Sequence, residues 1–199
     1  MKKQRKKGLT RRKATNTIRR SQWQLGIINT ILNARRGCIY ECLINPSWRE
    51  EGLARILLSR KQSNGNFVFG VYLVDTFCLG LKNTFCNANF PLSEYKGIKA
   101  QVFQDVEPVD CPLSLAHQII YGAIKYALRL GFKPHRDFDL SQRILEDETK
   151  YAEGLGIEFG RNGQPFFVAG PDDNAELIIK KLEGRLGVGN FTFVLPVEH

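Results

Sequence analysis

The stretch FVFGVYLVD, residues 67–75, decides the fold. Its β-branched and aromatic residues favour a strand, and apolar side chains at both parities predict one buried on both faces, interior to a sheet. "SNGN" at 63–66 is the turn that leads into it. Further out, "CIYECLIN" at 38–45 reads as a second strand ended by Asn45-Pro46. Between the two, "PSWREEGLARILLSRK" offers Ser47 as an N-cap and Glu50 as its capping-box partner. Leu53, Ile56 and Leu57 form an apolar stripe, so the segment predicts a helix over 49–61.

Upstream, "SQWQLGIINTILNARR" places Ile27, Ile28, Ile31 and Leu32 at helical spacing and predicts a helix near 22–35, stopped by Gly37. Downstream, residues 76–112 have no steady period and read as a short helix, a loop and a strand near 98–103. "LSLAHQIIYGAIKYALRLGF" is unambiguous. Ala116, Ile119, Ile120, Ala123, Ile124, Ala127 and Leu130 form a broad apolar face, closed by Gly131. "DLSQRILEDETKYAE" reads as a shorter, more exposed helix. "GIEFGRNGQPFFVAGP" reads as two strands joined at Asn162-Gly163, after which Asp172 or Asp173 caps a helix near 173–186 and "NFTFVL" closes as a strand. The expected fold is α+β: a single compact body with a mixed or largely antiparallel sheet of roughly five to seven strands. Helices near 49–61, 113–130 and 173–186 pack on it, and a disordered basic N-terminal arm precedes it. The division is an arm over 1–20 and a body over 21–199, the latter with sub-units at 38–110 and 111–199.

Charge divides the same way. Residues 1–20 hold ten Lys or Arg and no Asp or Glu, whereas residues 21–199 hold 19 basic and 20 acidic side chains. Like charges this dense repel one another, so alone the arm is expected to be disordered. Each Lys or Arg that meets a phosphate releases counterions, which gives a salt-sensitive and mostly sequence-independent affinity. The arm resembles, in composition only and over about a tenth of the chain, the basic extensions of ribosomal proteins and of small ribonucleoprotein subunits. The expected nucleic-acid contacts are Lys2, Lys3, Arg5, Lys6, Lys7, Arg11, Arg12, Lys13, Arg19 and Arg20, extended by Trp23, Arg35 and Arg36.

These observations favour a non-enzymatic accessory subunit of a ribonucleoprotein or nucleoprotein complex, with RNA as first partner and DNA as second. Its near-neutral body would dock on a protein partner through apolar residues around Phe85 to Tyr95. No apolar run is long enough to span a bilayer and no secretory leader is apparent, so the expected setting is cytoplasmic, without a membrane. Five dispersed cysteines, Cys38, Cys42, Cys78, Cys86 and Cys111, read as reduced thiols. Cys38 and Cys42, four apart on a strand, are expected to share a face, where His117 or His135 could complete a tetrahedral site, but paired metal-ligand spacings are missing, and neither metal nor cofactor is expected. The alternative is a nuclease or other hydrolase acting on nucleic acid. Asp75, Cys78, His117 and His135 would be its catalytic groups, and Asp105, Glu107 and Asp110 its acidic metal ligands.

Overall fold

A computed structural model describes residues 22, 24–151 and 156–196. A helix over 24–32 (α1) runs into a 3-10 turn, Ala34–Arg36, which Gly37 closes by donating its N–H to Ala34 O at 2.9 Å. Strands β1 (Cys38–Ile44), β2 (Leu53–Lys61), β3 (Phe67–Asp75) and β4 (Gly80–Phe90) then form an antiparallel meander. A short β5 (Val109–Asp110) adds to the free side of β1, so the sheet order is β4-β3-β2-β1-β5. The body is α+β with a five-stranded antiparallel sheet, as the sequence predicts.

The predicted helix over 49–61 is the largest correction. Only Trp48–Glu51 (α2) is helical, and β2 begins at Leu53. Gly52 separates them at φ 70°, a left-handed conformation that ends a helix and that L side chains avoid; a Cβ there would also run into the Phe77 ring. Ser47 Oγ donates to the Glu51 carboxylate at 2.6 Å, so the expected capping box does not form. The apolar stripe misled because β2 is covered on both sides. Ala54, Ile56 and Leu58 face one core, while Leu57 faces the other, so the two-residue period is masked.

Each face of the sheet carries its own layer. Helix α4 (Leu113–Arg129) lies on one face and buries Ala116, Ile119, Ile120, Ala123 and Ile124 against Ile56, Leu58, Val68, Tyr72, Val74 and Leu81. It ends as its sequence predicts. Gly131 sits at φ 91° and Phe132 donates its N–H back to Ala127 O at 2.8 Å. Helix α3 (Leu92–Val102) covers the other face, where Tyr95 and Phe103 pack with Leu43, Leu57, Phe67, Phe69 and Val71. The strand expected near 98–103 is therefore the end of this helix, and the segment expected to hold a short helix is instead the eleven-residue β4. Asn83, Asn87 and Asn89 on this edge strand are weak strand formers, which is why its sequence does not announce it.

The C-terminal part forms a third apolar cluster. α6 (Ala175–Leu186) and a two-stranded parallel pair, β6 (Phe166–Val168) with β7 (Thr192–Val194), surround Phe167, Leu182 and Phe191 against Cys78, Leu79 and Leu130. Asn162 and Gly163, at φ 54° and 76°, make the predicted tight turn, but not the predicted hairpin. Gly160 N–H and Phe166 N–H donate to Thr76 O and Phe77 O, so both arms of the turn dock on the β3–β4 connection instead of extending each other. The cap of α6 is Asn174, which accepts from Leu177 N–H at 3.1 Å, rather than either aspartate. The helix expected over 139–153 reduces to α5 (Phe138–Ser141) and a 3-10 turn, Glu148–Tyr151.

Candidate functional site

The ten basic residues of the arm and Trp23 lie outside the described residues. Arg35 and Arg36 lie within them and differ sharply. Arg35 is anchored, donating to Leu145 O at 2.5 Å, Gln142 O at 3.3 Å and the Asp147 carboxylate at 2.8 Å. Arg36 is exposed and lines a cavity of about 430 Å³ with Asn29, Thr30, Asn33, Gln62 and Ser63, between α1 and the β2–β3 turn.

The four residues of the hydrolase reading fall into separate settings. Asp75 is buried, and its carboxylate accepts the N–H groups of Phe77 (2.8 Å), Cys78 (2.9 Å) and Leu79 (3.1 Å), which builds the β3–β4 turn. Burial raises its pKa while those bonds oppose the rise. Cys78 is fully buried in the C-terminal cluster, and burial holds it as the thiol rather than the nucleophilic thiolate. His117 lies on α4, where Nε2 accepts Glu146 N–H at 2.9 Å and the ring packs edge-on with Tyr151 at 5.1 Å. Burial lowers its pKa to about 4, so it is neutral at pH 7. His135 follows α4 at the start of β4, and its N–H donates to Leu81 O at 3.0 Å. No hydrogen bond or ion pair among the described residues joins Asp75 or Cys78 to either histidine.

The remaining candidates separate in the same way. Tyr95, expected on a docking surface, is buried instead, with its hydroxyl on Glu41 and Ser59, whereas Phe85 and Leu92 are exposed. A register shift between Ile39 and Glu41 puts Cys38 in solvent and Cys42 in the core, so they do not share a face. Asp105 pairs with Arg55 at 3.6 Å, and Glu107 and Asp110 are exposed. Among the described residues no group of three or more His, Cys, Asp or Glu could hold a metal ion.

Two clusters of basic side chains went unnoticed in the sequence. The first grips the loop after α5. Arg60, on β2 and 2% exposed, donates to Ile144 O (2.8 Å), Gly37 O (3.1 Å) and the Glu146 carboxylate (2.7 Å). Lys150 completes the network on the other Glu146 oxygen at 2.9 Å, and Arg60 together with Lys150 lowers the Glu146 pKa to about 2. Tyr72 and Thr84 hold the same loop from beneath, through Ser141.

The second cluster lines an open groove of about 400 Å³ between the start of β4, the end of α4 and α6. Its walls are Lys82, Lys133, His135 and Lys181 over Leu79, Leu81, Phe132 and Ile178, with Asp173 the one acid. That acid is neutralised, because its carboxylate accepts from Lys82 at 2.6 Å and from Gly170 N–H at 2.8 Å. Lys133 and Lys181 are exposed and form no ion pair among the described residues; Lys181 lies 4.9 Å from the Phe132 ring centre. "GFKPH" at 131–135 holds two of these groups, but sequence spacing gives no sign that Lys82 and Lys181 join them. No family model, no curated protein and no solved structure matches this chain.

Proposed function

We propose that the protein is a non-enzymatic accessory subunit of a ribonucleoprotein or nucleoprotein complex, binding RNA first and DNA second through phosphates. The observation that carries this reading is the segregation of charge. Ten Lys or Arg without an acid occupy residues 1–20, beside a body whose 19 basic and 20 acidic side chains nearly cancel. Such a segment supplies counterion-release affinity without base readout. Docking of the body on a protein partner is supported by exposed apolar side chains at Leu25, Ile28 and Leu32 on α1, and by Val168, Phe193, Val194 and Leu195 beside β6 and β7. The hydrolase reading draws no support from the positions of Asp75, Cys78, His117 and His135.

The test compares the full chain with a variant carrying Gln at Lys2, Lys3, Arg5, Lys6, Lys7, Arg11, Arg12 and Lys13. Binding to a structured RNA and to a duplex DNA is measured between about 50 and 200 mM salt. The expected result is a steep linear fall of log affinity with log salt in the parent, and in the variant a flatter slope with affinity lower by at least about tenfold. Equal slopes for the two chains would overturn the proposal.

A further inference from the structure

We infer that the groove between the start of β4, the end of α4 and α6 is a binding site for a phosphate-bearing nucleotide unit. The inference rests on the nucleic-acid reading and gives the body a contact of its own.

Eight of the body's 19 Lys and Arg form ion pairs among the described residues: Arg35, Arg55, Arg60, Lys82, Lys99, Lys125, Arg136 and Lys150. Lys133 and Lys181 do not, yet they line one cavity. Three lysines line it and one acid answers them, its carboxylate already held by Lys82. A concave site with this excess favours an anion over water or a cation.

His135 adds a directional donor. Its Nδ1 accepts Asp137 N–H at 3.3 Å, which leaves Nε2 as the ring nitrogen that carries the donor N–H. Nε2 has no hydrogen-bond partner among the described residues, and His135 is one of the residues that line the groove. Asp137, 3.9 Å from Nδ1 and 3.6 Å from Arg136, is the acid beside the imidazole, on the Nδ1 edge. A ring N–H and two lysines without an acid among the described residues suit the non-bridging oxygens of a phosphate, three on a terminal group and two on a diester, which accept several hydrogen bonds at once.

The lower wall argues for more than a bare anion. Leu79, Leu81, Phe132 and Ile178 give the groove an apolar side, and a volume of about 400 Å³ exceeds what a phosphate alone requires. It lies within the roughly 300–1,000 Å³ range of small-molecule sites. A sugar or base attached to the phosphate would rest on that side, with Phe132 as its one ring.

The experiment follows the His135 imidazole resonances by NMR in the full chain, assigned with His135→Gln, during titration with inorganic phosphate, a 5′-mononucleotide and a single-stranded oligonucleotide. Saturable His135 shifts are expected with all three, the mononucleotide binding more tightly than inorganic phosphate. The double variant Lys133→Glu, Lys181→Glu is expected to weaken phosphate binding at least tenfold with its thermal midpoint preserved. A His135 signal unmoved by phosphate and mononucleotide, or equal affinity in the double variant, overturns the inference. If the oligonucleotide binds the double variant as well as the parent with His135 still, the groove fails and the reading of the basic arm stands. If inorganic phosphate and mononucleotide move His135 but no RNA or DNA binds the parent, the phosphate site stands and the nucleic-acid reading falls.

Discussion

The loop after α5 and the groove beside α6 are both lined by basic side chains, yet they differ in every respect that matters for binding. Around the loop, Arg35 and Arg60 point at backbone carbonyls and at Asp147 and Glu146, so their charge and donors are consumed in holding 142–147 to the turn after α1 and to β2. In the groove, Lys133 and Lys181 meet no acid among the described residues and line an open cavity. The number of cations is similar; their partners are not. A basic residue is evidence of an anionic ligand only after its internal partners are known.

This contrast breaks most visibly at Arg60. Arg60→Met strips donors from Ile144 O, Gly37 O and Glu146 in a buried site. The expected loss is about 3–5 kcal/mol, because a buried ion pair broken from one side leaves an uncompensated partner. Urea unfolding of the variant at pH 7 measures it, and a loss below about 1 kcal/mol would mean that the loop is held by its apolar contacts.

Acid should act on the same cluster next. His117 has a folded pKa lowered by burial from 6.5 to about 4, so below pH 6.5 the unfolded chain takes up a proton that the folded chain refuses. Stability is full above pH 6.5 and declines as pH falls toward 4, by on the order of 2 kcal/mol after allowance for partial solvent screening. Glu146, whose folded pKa is lowered from 4.5 to about 2, extends the decline from pH 4.5 downward as its carboxylate is protonated. Urea midpoints measured between pH 7 and 3 are expected to fall in both windows, with His117→Gln flattening the upper one and Glu146→Gln the lower.

The smallest effect on folding belongs to the groove. Lys133→Glu with Lys181→Glu removes no ion pair among the described residues and one exposed contact of Lys181 with the Phe132 ring, so stability at pH 7 is expected to change by less than about 1 kcal/mol in total. A larger loss in urea unfolding would show that these lysines serve the fold, and would erase the difference between the two regions.

How much of this was legible follows from what each residue's neighbours decide. α4 could be read because its apolar face is continuous and Gly131 ends it, both local properties. β3 could be read because its residues are strand formers buried from both sides. β2 could not, since burial of both its faces erased alternation and the capping signal at Ser47 outweighed the stop at Gly52. The sequence predicts that β6 pairs with the strand before it, but β6 pairs with β7 in parallel, while Gly160 and Phe166 donate their N–H groups to the carbonyls of Thr76 and Phe77. For the site, His135 was singled out in the sequence, but Lys82 and Lys181 lie 53 and 46 residues from it (135 − 82 and 181 − 135).

By itself the sequence determined the α+β class, the long buried helix, the interior strand and the concentration of positive charge in residues 1–20. These depend on composition, short-range spacing and turn chemistry, all carried along the chain. Tertiary structure alone decided which cations are neutralised, which cysteine of a pair is buried and which three distant segments wall the groove. Pairing and desolvation are set by distances between segments remote in sequence, so only the folded chain assigns them.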